Sequence, residues 1–326
     1  MIENKQNLVF ISIKNKFFSY IKSFRLSFWF LVSIFFLLGE WYSIRKFPIN
    51  QTIIVLLSLL GIFSAGSMIN IVFDKKIDVF ARKLIVKVFI HISTKEMLFS
   101  SAFLSFISLF LLYFFINIEV FLLGSIIVII GIFYSAPPIR LKTKPPFDCI
   151  MNALGGSIPF FMGWMIISNS LTFESIVLGL IIFLFILHTF FFFTTTDIDV
   201  DKEMGIKTSC NIIGINNSIL VGIIIYSIDL LIAIYFFEIT NLLIISLIVY
   251  LPLIPITFIY KNNRAYLVNI AGGRNTVIFA GALLILLSIF SKNIFPIFFL
   301  ILWIILIIYD IVLLLKIRKQ SKFKNF

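Results

Sequence analysis

Apolar runs of about twenty residues recur almost from one end of the chain to the other, separated by short polar breaks, and about 20 predominantly apolar residues is the length of a helix that crosses a bilayer. Ten segments qualify as candidate spans: 26–44, 52–73, 97–117, 120–136, 149–168, 175–196, 218–237, 241–260, 276–291 and 294–315. Splitting the last two at Ser291, Lys292 and Asn293 decides between nine and ten. Composition agrees. The chain is 61% hydrophobic and 13% charged, against roughly 45–50% and about 25% in a soluble domain. A soluble fold and a soluble nucleic-acid binder are therefore excluded, despite the net charge of +12. No linker or low-complexity tract interrupts the pattern, so one membrane-embedded domain is expected over residues 26–315. Basic cytoplasmic segments flank it at 1–25 and 316–326.

The basic residues follow an orientation rule rather than a partner. With the N-terminus on the cytoplasmic side, all but Arg45, Lys46 and Lys292 of the 27 lysines and arginines fall on that side, as the positive-inside rule requires. The lipid bilayer is the partner this implies. Cys149 and Cys210 are too few for a disulfide framework and read as packing residues. No small-residue cleavage site follows a short apolar stretch near the start, so no cleaved signal peptide is expected. Heavy use of Ile, Phe, Lys and Asn points to an AT-rich genome and a prokaryotic cytoplasmic membrane.

Five of the eight aspartates stand in two places, each at the end of an apolar segment. Asn70, Asp74 and Asp78 are spaced i, i+4, i+8, which lines them along one helix face. Asp197 and Asp201 repeat the i, i+4 spacing, and Asp199 lies between them on the other face. Carboxylates so close repel one another beside hydrocarbon, where ionisable groups are expensive, so cations should compensate them. The second and sixth spans run in the same direction, which brings both clusters to one membrane surface. Four carboxylates and an amide oxygen form an oxygen-only set suited to Mg²⁺, which takes few carboxylates and shares its other positions with water and phosphate oxygens. The competing reading makes each cluster a helix end meeting water, balanced by Lys75, Lys76, Lys202 and Lys207.

On the same surface lies Tyr134-Ser135-Ala136-Pro137-Pro138-Ile139-Arg140-Leu141-Lys142. The double proline ends the fourth span and directs Arg140 and Lys142 towards the acids. A guanidinium there can fork two oxygens of one phosphate.

Together these motifs resemble those of the UbiA-type intramembrane prenyltransferases: NxxxDxxxD after the second span, YSAPPIRLK after the fourth, and DxxxD followed by GIKT after the sixth, in that order and on one side. The resemblance is close over roughly residues 20–215 and rests on hydropathy beyond. It implies an all-α bundle, usually of nine transmembrane helices, around a central cavity, from which the possible tenth of the nine to ten spans counted here departs, with Mg²⁺ as cofactor and a prenyl diphosphate and a hydrophobic acceptor as substrates. It further implies that Asn70, Asp74, Asp78, Asp197 and Asp201 hold metal-bound diphosphate, the four acids being the catalytic set. Arg140 and Lys142 would be phosphate partners, Tyr134 would line the cavity, and Asp199 and Lys207 of the second motif would belong to the substrate-binding set. Where relatives carry a proline-rich basic run after the first motif, this chain reads Phe80-Ala81-Arg82-Lys83-Leu84-Ile85-Val86-Lys87. Arg82 is retained as a diphosphate ligand, without the prolines.

The reaction this implies is Mg²⁺-assisted ionisation of an allylic diphosphate and capture of the cation by an acceptor. An aromatic or quinone-precursor ring is the expected acceptor. A glycerol-phosphate lipid, a carotenoid and a chlorophyllide-like molecule are the alternatives, beside a membrane terpene cyclase and, from another class, a cation or lipid transporter. Transport is disfavoured because the acids sit at helix ends on one surface, not near the midplane. His188 reads as a satisfied buried imidazole, Glu40, Asp229 and Asp310 as intramembrane acids in helix contacts, and Asp148 as either a helix cap or a site residue.

Overall fold

The computed structural model describes residues 15–81, 83–168, 170–238, 241–252, 254–255, 259, 274–293 and 296–305. Among them the chain is all helix and turn. The helices are α1 (Asn15–Ser23), α2 (Leu26–Ile44), α3 (Ile49–Phe73), α4 (Lys75–Phe80), α5 (Thr94–Phe115), α6 (Ile118–Ser135), α7 (Phe147–Trp164), α8 (Phe173–Phe193), α9 (Ile198–Glu203), α10 (Ser209–Phe236), α11 (Leu242–Tyr250), α12 (Arg274–Ser291) and α13 (Pro296–Ile305). Short 3₁₀ turns occupy Leu84–Ile90, Leu141–Thr143 and Thr194–Asp197.

Polar side chains start these helices where the hydropathy pattern changes. Ser93 and Glu96 form a reciprocal capping box on α5, and Asn117 and Thr208 accept from Val120 N (2.8 Å) and Asn211 N (3.2 Å) at the starts of α6 and α10. Each such bond satisfies a backbone donor that lipid could not. The helices pack in the pairs α3 with α5, α2 with α7, α7 with α8 and α8 with α10. At the α2–α7 crossing the backbones nearly touch: a Cβ at Gly39 would lie 2.0 Å from Phe160 O, and one at Gly163 2.0 Å from Phe36 O. Small residues permit such approach where no hydrophobic force drives helices together in lipid. The outward faces carry exposed apolar side chains, as in the row Phe99, Phe103, Phe106, Phe110 and Phe114 along α5.

Among the described residues five helices are long and apolar enough to cross a membrane alone: Ile49–Phe73, Thr94–Phe115, Ile118–Ser135, Phe173–Glu203 and Ser209–Phe236. The split between the last two segments is present, α12 ending at Ser291 and α13 beginning at Pro296, while residues 306–315 of the tenth segment lie outside the described residues. The helix that holds the seventh span starts at Ser209 but is broken at Gly214 (φ 80°, ψ 169°), so its uninterrupted part runs from Ile215, close to where hydropathy places the span. The stretch 74–96 between the second and third apolar segments is largely α4 and a 3₁₀ turn. The N-terminal segment is more than a basic tail, since α1 packs Tyr20, with Phe24 just after it, on a buried cluster of Met68, Ile71, Val88, Ile92 and Met97. Cys149 and Cys210 are both free and buried, and pack with Phe190, Phe191 and Ile198.

Candidate functional site

The C-terminal ends of α3, α6 and α8 and the N-terminal ends of α7 and α10 meet at one end of the bundle. Helix α3 stops at Asp74 (φ −93°, ψ 0°), so Asn70, Asp74 and Asp78 do not ride on one continuous helix. The i, i+4 relation nevertheless survives the break, with Asp74 N donating to Asn70 O (2.8 Å) and Asp78 N to Asp74 O (2.8 Å). Asn70 Nδ2 donates to Asp74 Oδ2 (2.9 Å) and lies 3.4 Å from Ser135 Oγ, tying the first motif to the end of α6.

Arg140 and Lys142 reach Asp74 as the sequence predicts. Arg140 Nη2 is 3.0 Å from Asp74 Oδ1, and Lys142 Nζ donates to the same oxygen. Arg140 stands in the left-handed region (φ 44°), its N–H donating to Ala136 O (2.9 Å) and its carbonyl accepting from Thr143 N (3.1 Å) and Thr143 Oγ1 (3.0 Å). Its Nε is buried without a partner among the described residues. That leaves a donor for an incoming oxygen. Burial pulls the Lys142 ammonium below its ordinary range, against the raising effect of Asp74.

Asp78, on α4, is 4% exposed. Burial raises its carboxyl above the ordinary range, with Lys83 opposing the shift and Asp74 adding to it. Lys83 Nζ stands 3.7 Å from Asp78 Oδ1 and 3.2 Å from Asp197 Oδ1, so one ammonium joins the two acidic motifs. Asp78 Oδ2 is buried with no partner among the described residues. Sequence reasoning kept Lys83 only as part of a basic loop, because nothing in the run 82–87 distinguishes one cation from another. Arg82, preferred there, lies outside the described residues. Arg25 was missed also; half-buried at the start of α2, its charge acts on Asp78, Asp74 and Asp197. Lys75 turns away, its ammonium 4.3 Å from the centre of the Phe89 ring.

In the second motif Asp197 closes the 3₁₀ turn after α8 and precedes α9, which carries Asp199 and Asp201. Thr208 Oγ1 donates to Asp201 Oδ2 (3.2 Å). Gly205, at φ 66°, lets α9 turn back: Ile206 N donates to Asp201 O (2.8 Å) and Gly205 N to Lys202 O (3.1 Å). This C-terminal motif favours glycine because a side chain in the left-handed region is strained. Asp199 and Lys207 are exposed. Tyr134 lies half-buried in the last turn of α6.

Asp148 is a structural tie: its carboxylate accepts from Ser209 N (2.6 Å) and Ser209 Oγ (2.5 Å), fixing the start of α10 to the first turn of α7. His188 is fully buried and satisfied, its Nδ1 lying 2.8 Å from Gly222 O and its Nε2 3.2 Å from Tyr250 Oη. A carbonyl only accepts, so Nδ1 carries the proton and the tyrosine donates to Nε2. Glu40 accepts from Thr52 Oγ1 (2.7 Å), while Asp229 is buried with neither oxygen partnered among the described residues. Asp310 lies outside them.

Among the described residues no three acidic, histidine or cysteine side chains converge closely enough to hold a metal ion by themselves. The acids instead pair off around cations. That arrangement fits Mg²⁺, which is bound through one or two carboxylates and completed by substrate phosphate and water. The unpartnered Asp78 Oδ2 and the all-oxygen donor set fit the same ion.

Residues 29–269 match the UbiA prenyltransferase family. A lycopene elongase/hydratase from Haloarcula japonica is 35% identical over 85 residues, a stretch that spans 26% of this chain and 28% of that relative. Among solved structures, a UbiA homologue from Archaeoglobus fulgidus bound to GPP and Mg²⁺ superposes with a TM-score of 0.63 at 22% identity, covering 83% of this chain and 99% of its own. The apo structure of a homologue from Aeropyrum pernix K1 gives 0.63 at 16%, covering 79% and 94%. At these identities the likeness is one of fold.

Proposed function

The chain belongs to the UbiA prenyltransferase family, and from that premise we propose that it transfers the prenyl group of an allylic prenyl diphosphate to a hydrophobic acceptor within the membrane. One observation carries the reading. The Asp74–Arg140–Lys142 group and the Asp78–Lys83–Asp197 bridge gather at one end of the bundle, with acids for a metal ion and cations for a diphosphate in one place. The Archaeoglobus fulgidus relative, which holds GPP and Mg²⁺, supports it.

Asn70, Asp74, Asp78, Asp197 and Asp201 would hold Mg²⁺, which when bound neutralises charge developing on the departing diphosphate. Arg140 would turn its free Nε and the rest of its fork to phosphate oxygens, with Lys142 beside it as a point charge. Lys207, exposed at the rim, would meet the diphosphate from outside, and Asp199 would act on it only through the metal ion or a neighbouring cation. The allylic C–O bond breaks with its electron pair leaving on the diphosphate oxygen. The acceptor supplies the pair for the new bond and loses a proton. Phosphate contacts made at the moment of departure stabilise the developing charge more than the ground state, which is what lowers a barrier. Apolar helices around Tyr134 would keep water from the cation. The excess of basic residues at this end supports its facing the cytoplasm of a prokaryotic cell.

An aromatic or quinone-precursor ring is the proposed acceptor. A second reading, prenyl transfer to a polyene, is favoured by the 85 residues shared with the lycopene elongase/hydratase. The test is to incubate the protein in nanodiscs with Mg²⁺ and labelled prenyl diphosphates of several lengths, adding aromatic, polyene or no acceptor. Diphosphate release that needs an acceptor and fails in Asp74→Ala and Asp197→Ala is the expected result. Release without acceptor would replace transfer by cyclisation or hydrolysis, and full activity in both variants would overturn the site.

A further inference from the structure

Most glycines among the described residues have a local reason to be glycine. At Gly39, Gly163 and six others a Cβ would lie 2.0–2.7 Å from a neighbouring atom, so the missing side chain lets elements approach, and Gly205 and Gly214 have positive φ. Three are left over. A Cβ at Gly66 would meet nothing within 4 Å, one at Gly131 only the Gly66 Cα at 3.7 Å, and one at Gly155 only Ile130 Cγ2 at 3.9 Å. Glycine weakens a helix interior relative to alanine, and at these three positions no closer packing offsets that. What they leave is empty volume.

The three share a depth in the bundle. Gly66 is one turn before Asn70 on α3, Gly131 one turn before Ser135 on α6, and Gly155 three residues after Asn152 on α7. Gly131 touches Gly66, and Gly155 faces Ile130, the neighbour of Gly131, so they form one level just inside the polar end. That level looks inward. Gly66 is nine positions from Leu57, half a turn round α3 from a side chain 54% exposed on the lipid face, and Gly131 stands in the same relation to Leu122, 52% exposed on α6. Both glycines still keep accessible surface, which inside a bundle means a cavity. One turn deeper the same three helices carry Ile62, Ile127 and Ile158, only 2%, 5% and 8% exposed and part of the main buried core. Towards the other side the level opens on Asn70 and Asp74, beyond which Arg140 Nε and Asp78 Oδ2 are buried and unpartnered among the described residues.

With the transferase reading above as premise, we infer that the glycine level receives the second isoprene unit of the donor and the isoleucine level stops a third, so that this chain selects geranyl diphosphate by length. Asp74, Asn70, Gly66 and Ile62 follow one another at i, i+4 spacing, each step roughly 6 Å along α3 and about the reach of one C5 unit. A diphosphate held at Asp74 and Arg140 puts the reacting unit beside Asn70 and Tyr134, the second unit between the three glycines, and a third against the isoleucines. A dimethylallyl group leaves the glycine level empty and forgoes its dispersion contacts. A farnesyl group overlaps the side chains of a packed core, which is costly.

The test measures binding of the unreactive thiolodiphosphate analogues of dimethylallyl, geranyl, farnesyl and geranylgeranyl diphosphate to the full-length protein in nanodiscs with Mg²⁺, so that no acceptor is needed. Geranyl should bind tightest, by roughly tenfold or more over farnesyl, since even one methylene in an apolar pocket is worth about 10-fold or more. Gly66→Val should shift the preference to dimethylallyl by roughly tenfold with little change in melting temperature, and Gly155→Val should do the same from another helix. Ile62→Ala and Ile127→Ala, each scored per folded molecule, should admit farnesyl. Ile126→Ala, on the lipid face of α6 at 44% exposed, should leave the order of affinities as it is. Equal binding of all four lengths, a preference for farnesyl or longer, or a geranyl preference that survives both valine variants would overturn length selection and leave the transferase standing. Binding of none of the four would overturn the transferase reading, and length selection with it.

Discussion

Lys83 and Asp197, 114 positions apart in the chain, stand with Nζ 3.2 Å from Oδ1. The same ammonium is 3.7 Å from Asp78, so the two acidic motifs are joined before any ligand arrives. A divalent cation seeking those carboxylates must displace a lysine. Lys83→Ala should therefore bind Mg²⁺ more tightly in the absence of diphosphate, by up to about fivefold, since an exposed ion pair is worth at most ~1 kcal/mol. Calorimetric titration of Mg²⁺ checks this, and a weaker affinity in the variant would refute the competition.

Arg140 offers two separable properties, a left-handed backbone and a guanidinium with a free buried Nε. Arg140→Lys keeps the charge and loses the fork; Arg140→Gly keeps the backbone and loses both. The expected result is a rise in KM for prenyl diphosphate in each, larger in Arg140→Gly, with a fall in turnover on the order of 10²-fold there. Steady-state kinetics over a range of diphosphate concentrations would separate the two effects.

His188 should matter to stability and not to chemistry. In His188→Phe, Gly222 O loses its donor and Tyr250 its acceptor, and each buried polar group left unsatisfied costs roughly 1–3 kcal/mol. A lowered melting temperature with unchanged turnover per folded molecule is expected. Loss of turnover at full stability would overturn that reading and make His188 a catalytic candidate.

The pH dependence of the empty protein follows from Asp78. Burial raises its folded-state pKa above the ordinary 3.8, so between those two values the folded protein binds more protons than the unfolded one and stability falls as pH rises. Asp78→Asn should flatten this acid-side slope, measured as melting temperature against pH in nanodiscs. Saturating Mg²⁺ should flatten it too, by favouring the ionised carboxylate.

Gly163→Val should fail at the α2–α7 crossing. Its first side-chain carbon would lie 2.0 Å from Phe36 O and 2.9 Å from Glu40 N, both backbone atoms that cannot step aside singly. A loss of about 1–3 kcal/mol or more is expected from such overpacking, read as a lower melting temperature in detergent. The same change at Gly66, which has open space around it, should be mild.

Much of this was legible in the sequence because lipid enforces simple rules. Apolar length marked the helices, and the i, i+4 spacing of Asn70, Asp74 and Asp78 placed them together even though α3 breaks at Asp74. The pairing of Arg140 and Lys142 with Asp74 was also readable, since a double proline turns the chain at a known point. Lys83 was not readable, because its role depends on how α4 and a 3₁₀ turn fold back beside the end of α8, a tertiary relation with no local signature. Arg25 was hidden for the same reason, and the short helical piece from Ser209 to the break at Gly214 carries too few apolar residues to register in a hydropathy window.

The double hydrogen bond from Ser209 to Asp148 has a consequence for what the bundle can admit. Asp148 follows closely on the turn that carries Arg140 and Lys142, and Ser209 on the segment that carries Asp197 and Asp201, so one carboxylate ties the cations proposed for the diphosphate to the second acidic motif. A short rigid strut suits a guest of fixed size. The diphosphate is the part of every prenyl donor that never varies, whereas the isoprenoid chain comes in many lengths. On the proposed reading, a tie at the polar end would standardise the socket for the constant part, while the variable part would be measured by the apolar helices further along the bundle.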